Sequence, residues 1–207
     1  NTLNNKQYAT EGTRRIHSIR AGYGVESYYP GSTAQVENNE NISYFWWSFK
    51  MENCGYIPLK RSFALGYHIK LQADFKPLLS NYYSSIIEAP TFQPNMITKG
   101  LFMEEYRANQ YIAAGLMPVY KFSNQLHTKL EAYAYFPVQE ILRDDFDEAY
   151  LGNYFKSMRA MLFGSLSFVS VAGPVSLHLG YIMDADYPWI AQLSFGYLLF
   201  NKKSSDE

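Results

Sequence analysis

The chain has 207 residues, 47% of them hydrophobic, 17% aromatic and 18% charged, with 18 Lys and Arg against 19 Asp and Glu. That balance removes the basic footprint of a nucleic-acid binder, and no stretch approaches the ~20 apolar residues of a membrane helix. The single cysteine, Cys54, excludes an intramolecular disulfide framework. No basic n-region or apolar h-region follows Asn1, so no signal peptide is read there.

Apolar and polar residues alternate with period 2 through most of the chain, the mark of strands with one greasy face. In the first segment Ile19, Ala21, Tyr23 and Val25 oppose Arg20, Gly22, Gly24 and Glu26. Segment 42–52 follows, with Phe45, Trp47, Phe49 and Met51 on one face. The cleanest alternation runs over 62–75. There Phe63, Leu65, Tyr67, Ile69, Leu71, Ala73 and Phe75 oppose Ser62, Ala64, Gly66, His68, Lys70, Gln72 and Asp74. Segment 109–121 is less regular. Over 126–136, Leu126, Leu130, Ala132, Ala134 and Phe136 oppose His127, Lys129, Glu131, Tyr133 and Tyr135. Segment 158–171 comes next. Then Val175, Leu177, Leu179, Tyr181 and Met183 oppose Ser176, His178, Gly180 and Ile182. The last strand sets Ala191, Leu193, Phe195, Tyr197 and Leu199 against Gln192, Ser194, Gly196 and Leu198. These make eight expected strands; residues 138–150 are the best candidate for a short loop helix.

Connections alternate in length. Tight ones are read near 54–58, 122–125 and 172–174, and longer ones at 29–41, 76–106, 139–156 and 184–188. A stretch of about 30 residues is unusual inside a compact domain. Short turns at one end and long loops at the other are the pattern of an outer-membrane β-barrel. The expectation is an all-β, antiparallel up-and-down transmembrane barrel domain over 1–207, with outer-membrane lipids as its surroundings. Cys54 is then placed at the periplasmic end and loops 76–106 and 139–156 at the cell surface. Leu65, Ile69, Leu130, Leu177, Leu193 and Phe195 are read as lipid-facing. Arg20, Glu26, His68, Lys70, Asp74, Lys129 and Glu131 are read as lumen-facing polar residues. The alternative is a soluble eight-stranded barrel, whose apolar residues point inward around a ligand. Against it stand the small and tyrosine-rich polar face, its balanced charges, and aromatic residues near strand ends such as Trp46, Trp47, Tyr181 and Trp189.

Three pieces of the chain resemble the barrel domain of the bacterial surface antigen superfamily, which includes outer-membrane assembly and translocation barrels. Asn1-Thr2-Leu3-Asn4-Asn5 with Tyr8-Ala9-Thr10-Glu11-Gly12-Thr13-Arg14 resembles the family's D-T-L-D-N-x-x-Y/F-P-T-x-G-x-R element, with Ala9 where proline is usual. Gly173-Pro174-Val175-Ser176-Leu177-His178-Leu179-Gly180-Tyr181 resembles its penultimate strand, and residues 190–200 its closing strand, which ends in an aromatic residue. Assembly-type members carry V/I-R-G-F/Y in the loop that is 76–106 here. This loop reads Tyr82-Tyr83-Ser84-Ser85-Ile86-Ile87-Glu88-Ala89-Pro90-Thr91-Phe92-Gln93-Pro94, without that motif. It looks more like the barrel at the C-terminus of bacterial patatin-like phospholipases. The resemblance implies a membrane anchor or translocation unit. Because family members usually have sixteen strands, it implies either the C-terminal half of such a barrel, completed by partner strands, or a compact whole eight-stranded barrel, and the patatin-like likeness implies an upstream lipase domain. An assembly or secretion pore is the alternative it leaves open, with dimer partner strands a further one.

No catalytic motif is read. Gly164-Ser165-Leu166-Ser167-Phe168 lacks the spacing of the G-x-S-x-G elbow that patatin hydrolysis needs. His17, His68, His127 and His178 have no zinc spacing, and the run Asp144-Asp145-Phe146-Asp147-Glu148 lacks the glycine of an EF-hand. No phosphate-binding glycine motif occurs, so no cofactor or metal is expected. A small barrel enzyme with a Ser/His pair stays open as an alternative, which His127 and His178 disfavour by their inward parity.

Overall fold

The computed structural model describes residues 1–4, 9–28, 40–170 and 173–196. The expected strand positions Tyr197 and Leu199, the tail 201–207, turn residue 172 and most of connection 29–41 lie outside them. Eight strands form one antiparallel sheet in the order β1 (Gly12–Tyr28), β2 (Glu40–Lys60), β3 (Phe63–Asp74), β4 (Gln110–Lys121), β5 (Leu126–Pro137), β8 (Arg159–Ser170), β9 (Gly173–Ile182) and β10 (Trp189–Phe195). The two missing numbers belong to a separate small hairpin, β6 (Ile141–Arg143) with β7 (Ala149–Leu151). Among the described residues β1 pairs only with β2 and β10 only with β9, so the sheet has two edges.

The ladder is strongly staggered. The rung through Trp189, the first residue of β10, runs through Tyr181, Leu162, Ala132, Leu116, Tyr67 and Gly55 to Thr13, the second residue of β1. From that rung β1 continues toward the long-loop end while β10 continues toward the short turns. Tilted strands with such shear are what a curved, barrel-forming sheet needs.

The period-2 parity reads true on both faces. Ile69, Leu130, Leu177, Leu193 and Phe195 are exposed on the convex face, and Leu193 and Phe195 reach 72% and 70%. Leu65 points the same way but is half-buried, packed in register between Ile57 and Pro118. The residues that sit between them in sequence, including His68, Glu131, Tyr133 and Tyr135, are buried on the concave face.

Three local expectations fail. The turn between β2 and β3 lies at 61–62, because the apolar alternation of Ile57 and Leu59 continues past Gly55 with only a register shift between Pro58 and Lys60. Cys54 is therefore mid-strand, opposite Arg14 and His68, and not at a turn. Residues 138–150 form no helix. Asp144 Oδ1 accepts from the Phe146 and Glu148 amides at 2.9 and 2.8 Å, and Asp147 has φ 64°, which together make a tight turn instead. Finally, loop 76–106 contains helices α1 (Tyr82–Glu88) and α2 (Met96–Lys99), each begun by an asparagine cap, Asn81 and Asn95.

The residues before β1 fold back along it: Thr2 N donates to Thr13 O at 2.8 Å, and Asn4 Oδ1 accepts from the Thr10 amide at 3.0 Å. Gly12 makes this approach possible, since its φ is +96° and a Cβ there would lie 2.2 Å from the Thr2 carbonyl oxygen. Gly12→Ala is expected to lower stability by about 1–3 kcal/mol, read as a shifted urea midpoint with an unchanged strand signal in circular dichroism.

Candidate functional site

The concave face is occupied by the chain's own long loop. Residues 75–109 leave the end of β3, descend across the sheet and return to β4. Their two limbs pair with each other through Phe92 N to Tyr106 O at 2.9 Å and Ala108 N to Pro90 O at 3.2 Å. Phe92, on the descending limb of this wedge, is 0% exposed. It stacks on His68 of β3 and Tyr135 of β5 at 6.0 and 5.7 Å, and meets Tyr111 of β4 and Tyr133 of β5 edge-on. Tyr106, also fully buried, places its hydroxyl 2.9 Å from the carbonyls of Ala160 and Met183 at the long-loop ends of β8 and β9. Burial pushes its phenol well above the ordinary range, so it remains a hydrogen-bond donor.

Polar groups complete the seat. Lys70 Nζ donates to Thr91 O at 3.3 Å and lies over the rings of Tyr111 and Phe92. Tyr111 Oη donates to the same carbonyl at 2.9 Å. His68 Nε2 is 3.5 Å from Glu52 Oε1. Lys129 forms a close ion pair with Glu131, whose second oxygen accepts from Asn95 Nδ2 at 2.8 Å. Asn95 thus caps α2 with one end and binds the sheet with the other. Arg107 donates to the carbonyls of Ile86, Ile87 and Ala89, closing the C-terminus of α1.

Of the polar residues read as inward, His68, Lys70, Lys129 and Glu131 converge on the loop. Glu26 joins it farther up, accepting from Tyr44 Oη at 2.9 Å and the Ser80 amide at 2.8 Å. Asp74 only accepts from the Lys76 amide at the strand end, and Arg20 is exposed on the edge strand. Sequence reasoning missed Glu52, although its parity in segment 42–52 places it inward. It also missed Thr91, Phe92, Asn95, Tyr106 and Arg107, which carry no periodic signal.

Between the loop tip and the short-turn end lies a cavity of about 260 Å³. His127, Lys129, Ser165, His178, Gln192 and Ser194 line it on the sheet side, and Asn95, Met96 and Ile97 roof it. His178 Nε2 is 3.3 Å from Ser194 Oγ. A hydrolytic triad needs a third group orienting the imidazole; among the described residues no carboxylate is hydrogen-bonded to His178. Ser165 and Ser167 lie in mid-strand, with Ser176 Oγ donating to Ser167 Oγ at 2.8 Å, and not on a strand-to-helix elbow. No group of three or more metal-ligating side chains occurs among the described residues. No family model, curated protein or solved structure matches the chain.

If the loop is held chiefly by its buried ring, Phe92→Ala should cost about 3–5 kcal/mol and release the wedge. Limited trypsin digestion should then cut at Lys99 and Arg107 long before the paired strands, whereas the parent resists there.

Proposed function

We propose that this chain is part of an outer-membrane β-barrel of surface-antigen type, serving as the membrane anchor of a larger protein, most like the patatin-like phospholipases, with the lipase domain elsewhere. The observation that carries the reading is the inverted polarity of the sheet. Leucines and phenylalanines such as Leu130, Leu162, Leu177, Leu193 and Phe195 are exposed on the convex side, while His68, Glu131, Ser167 and Ser176 are buried on the concave side among tyrosines, Met161 and Phe163. A soluble barrel requires the opposite distribution; a hydrocarbon solvent requires this one. The long and short connections alternate end for end, so the short turns at 61–62 and 122–125 are assigned to the periplasm. The outer edges of β1 and β10, unpaired among the described residues, would be untenable in lipid, where each lost backbone hydrogen bond is costly. They are completed by further strands of the same protein, as the sixteen-strand resemblance implies. Anchoring is favoured over translocation because loop 75–109 fills the concave face and lacks the V/I-R-G-F/Y motif of assembly members.

The convex leucines give the decisive experiment. Leu130 and Leu177 are 58% and 47% exposed, so in a soluble protein a lysine at either would change stability by no more than about 0.5 kcal/mol. In a bilayer each is expected to cost about 2–4 kcal/mol near the midplane. Reversible urea unfolding from lipid vesicles measures the difference. Near-neutral values, or a parent chain recovered as a folded monomer in plain buffer, would exclude the membrane reading.

Orientation is tested separately. In a Cys54→Ser background, a cysteine at Asp145, exposed in the β6–β7 turn, should react with a membrane-impermeant maleimide on intact cells. A cysteine at Gln125, exposed in the opposite turn, should react only after permeabilisation. The reverse pattern would invert the assignment.

A further inference from the structure

The two short turns carry an unneutralised cluster of cations. Lys60 ends β2, Arg61 opens the turn after it, and Lys121 ends β4; all three are exposed. The Lys121 amide donates to the Ser62 carbonyl at 2.8 Å, so the two chain segments lie side by side. Among the described residues none of the three has an ion-pair partner, and neither turn contains a carboxylate. Elsewhere Lys76, Lys129, Arg143 and Arg159 pair with acids, and Lys70 and Arg107 donate to backbone carbonyls. The opposite end is acidic, since connections 75–109, 138–158 and 183–188 hold ten carboxylates and five cations.

Beside the cluster, Leu59 and Phe122 are 56% and 60% exposed, and Tyr120 packs edge-on against Phe122 at 4.9 Å. Apolar and aromatic side chains at the boundary with basic groups just beyond are the arrangement of a headgroup-level anchor, in which long cationic side chains reach from hydrocarbon to phosphate. An acidic protein surface would pair with the cations but would leave this apolar fringe in water.

We propose that Lys60, Arg61 and Lys121 form a binding patch for the anionic headgroups of phospholipids in the leaflet nearest the short turns. The proposal rests on the membrane reading, and fixes which leaflet the patch selects. Each engaged cation near an anionic surface raises affinity by a factor of roughly five.

The test uses the delipidated protein in neutral detergent and an equimolar mixture of phosphatidylglycerol and phosphatidylcholine. Native mass spectrometry counts the lipids retained. Phosphatidylglycerol is expected to bind at least about fivefold more tightly than phosphatidylcholine. The triple variant Lys60→Gln, Arg61→Gln, Lys121→Gln should lose that preference while keeping the parent's strand signal and urea midpoint. Retained preference in the triple variant would place the headgroup site elsewhere and overturn the proposal. Equal affinities in the parent would also overturn it, leaving the patch to an acidic protein partner. A parent that binds neither lipid and is a folded monomer without detergent would instead bring down the membrane reading beneath it.

Discussion

Phe92 holds the architecture together from an unexpected place. It belongs to the connection between β3 and β4, yet its ring is in contact with side chains of β3, β4 and β5 and has no exposed surface. The concave face of the sheet is lined by tyrosines, a histidine and ion pairs, none of which could pack against water-filled space without leaving aromatic area exposed. The wedge supplies that missing core. Around it, the Thr91 carbonyl accepts from Lys70 and Tyr111 and Asn95 donates to Glu131, so apolar filling and polar satisfaction come from one five-residue stretch.

Strands such as β3 and β5 were legible in the sequence because they keep parity: Ile69 and Leu130 fall outward while His68 and Glu131 fall inward. The first strand was legible only from Ile19 on, although β1 begins at Gly12, and its start was not marked. Nor were the limits of β2, since Gly55 and Pro58 carry the usual signs of a turn and are overridden by pairing with β3 and by a bulge. Loop 75–109 was expected at the cell surface, and its seat against the concave face was not foreseen. Its fixed points, Phe92 and Tyr106, bind residues from 19 to 77 positions away in sequence, and no local pattern encodes such contacts. Glu52 lies between these cases; parity placed it inward, but segment 42–52 drew attention through the aromatics on its other face.

The two faces of the sheet and its two ends together make a consistent object. On the membrane reading proposed above, the convex apolar groups face hydrocarbon; loop 75–109 occupies the concave side, one end is acidic and long-looped, and the other is basic and tight. Each property alone has soluble counterparts. Their conjunction favours a membrane-held scaffold over a conduit, because the space through which a solute would pass is packed with aromatic side chains.

The seating of the wedge also dictates an order of events. The chain makes loop 75–109 before β5, β8 and β9, but the carbonyls that receive the Tyr106 hydroxyl belong to Ala160 and Met183, beyond two further hairpins. The loop therefore has no complete berth until β9 has joined the ladder. Until then its buried aromatics are uncovered, and the nascent sheet is both open at an edge and sticky on its inner side. Such non-local closure is slow in any chain. It makes the interval between synthesis of Phe92 and arrival of Met183 the period in which this protein most depends on being kept from its neighbours.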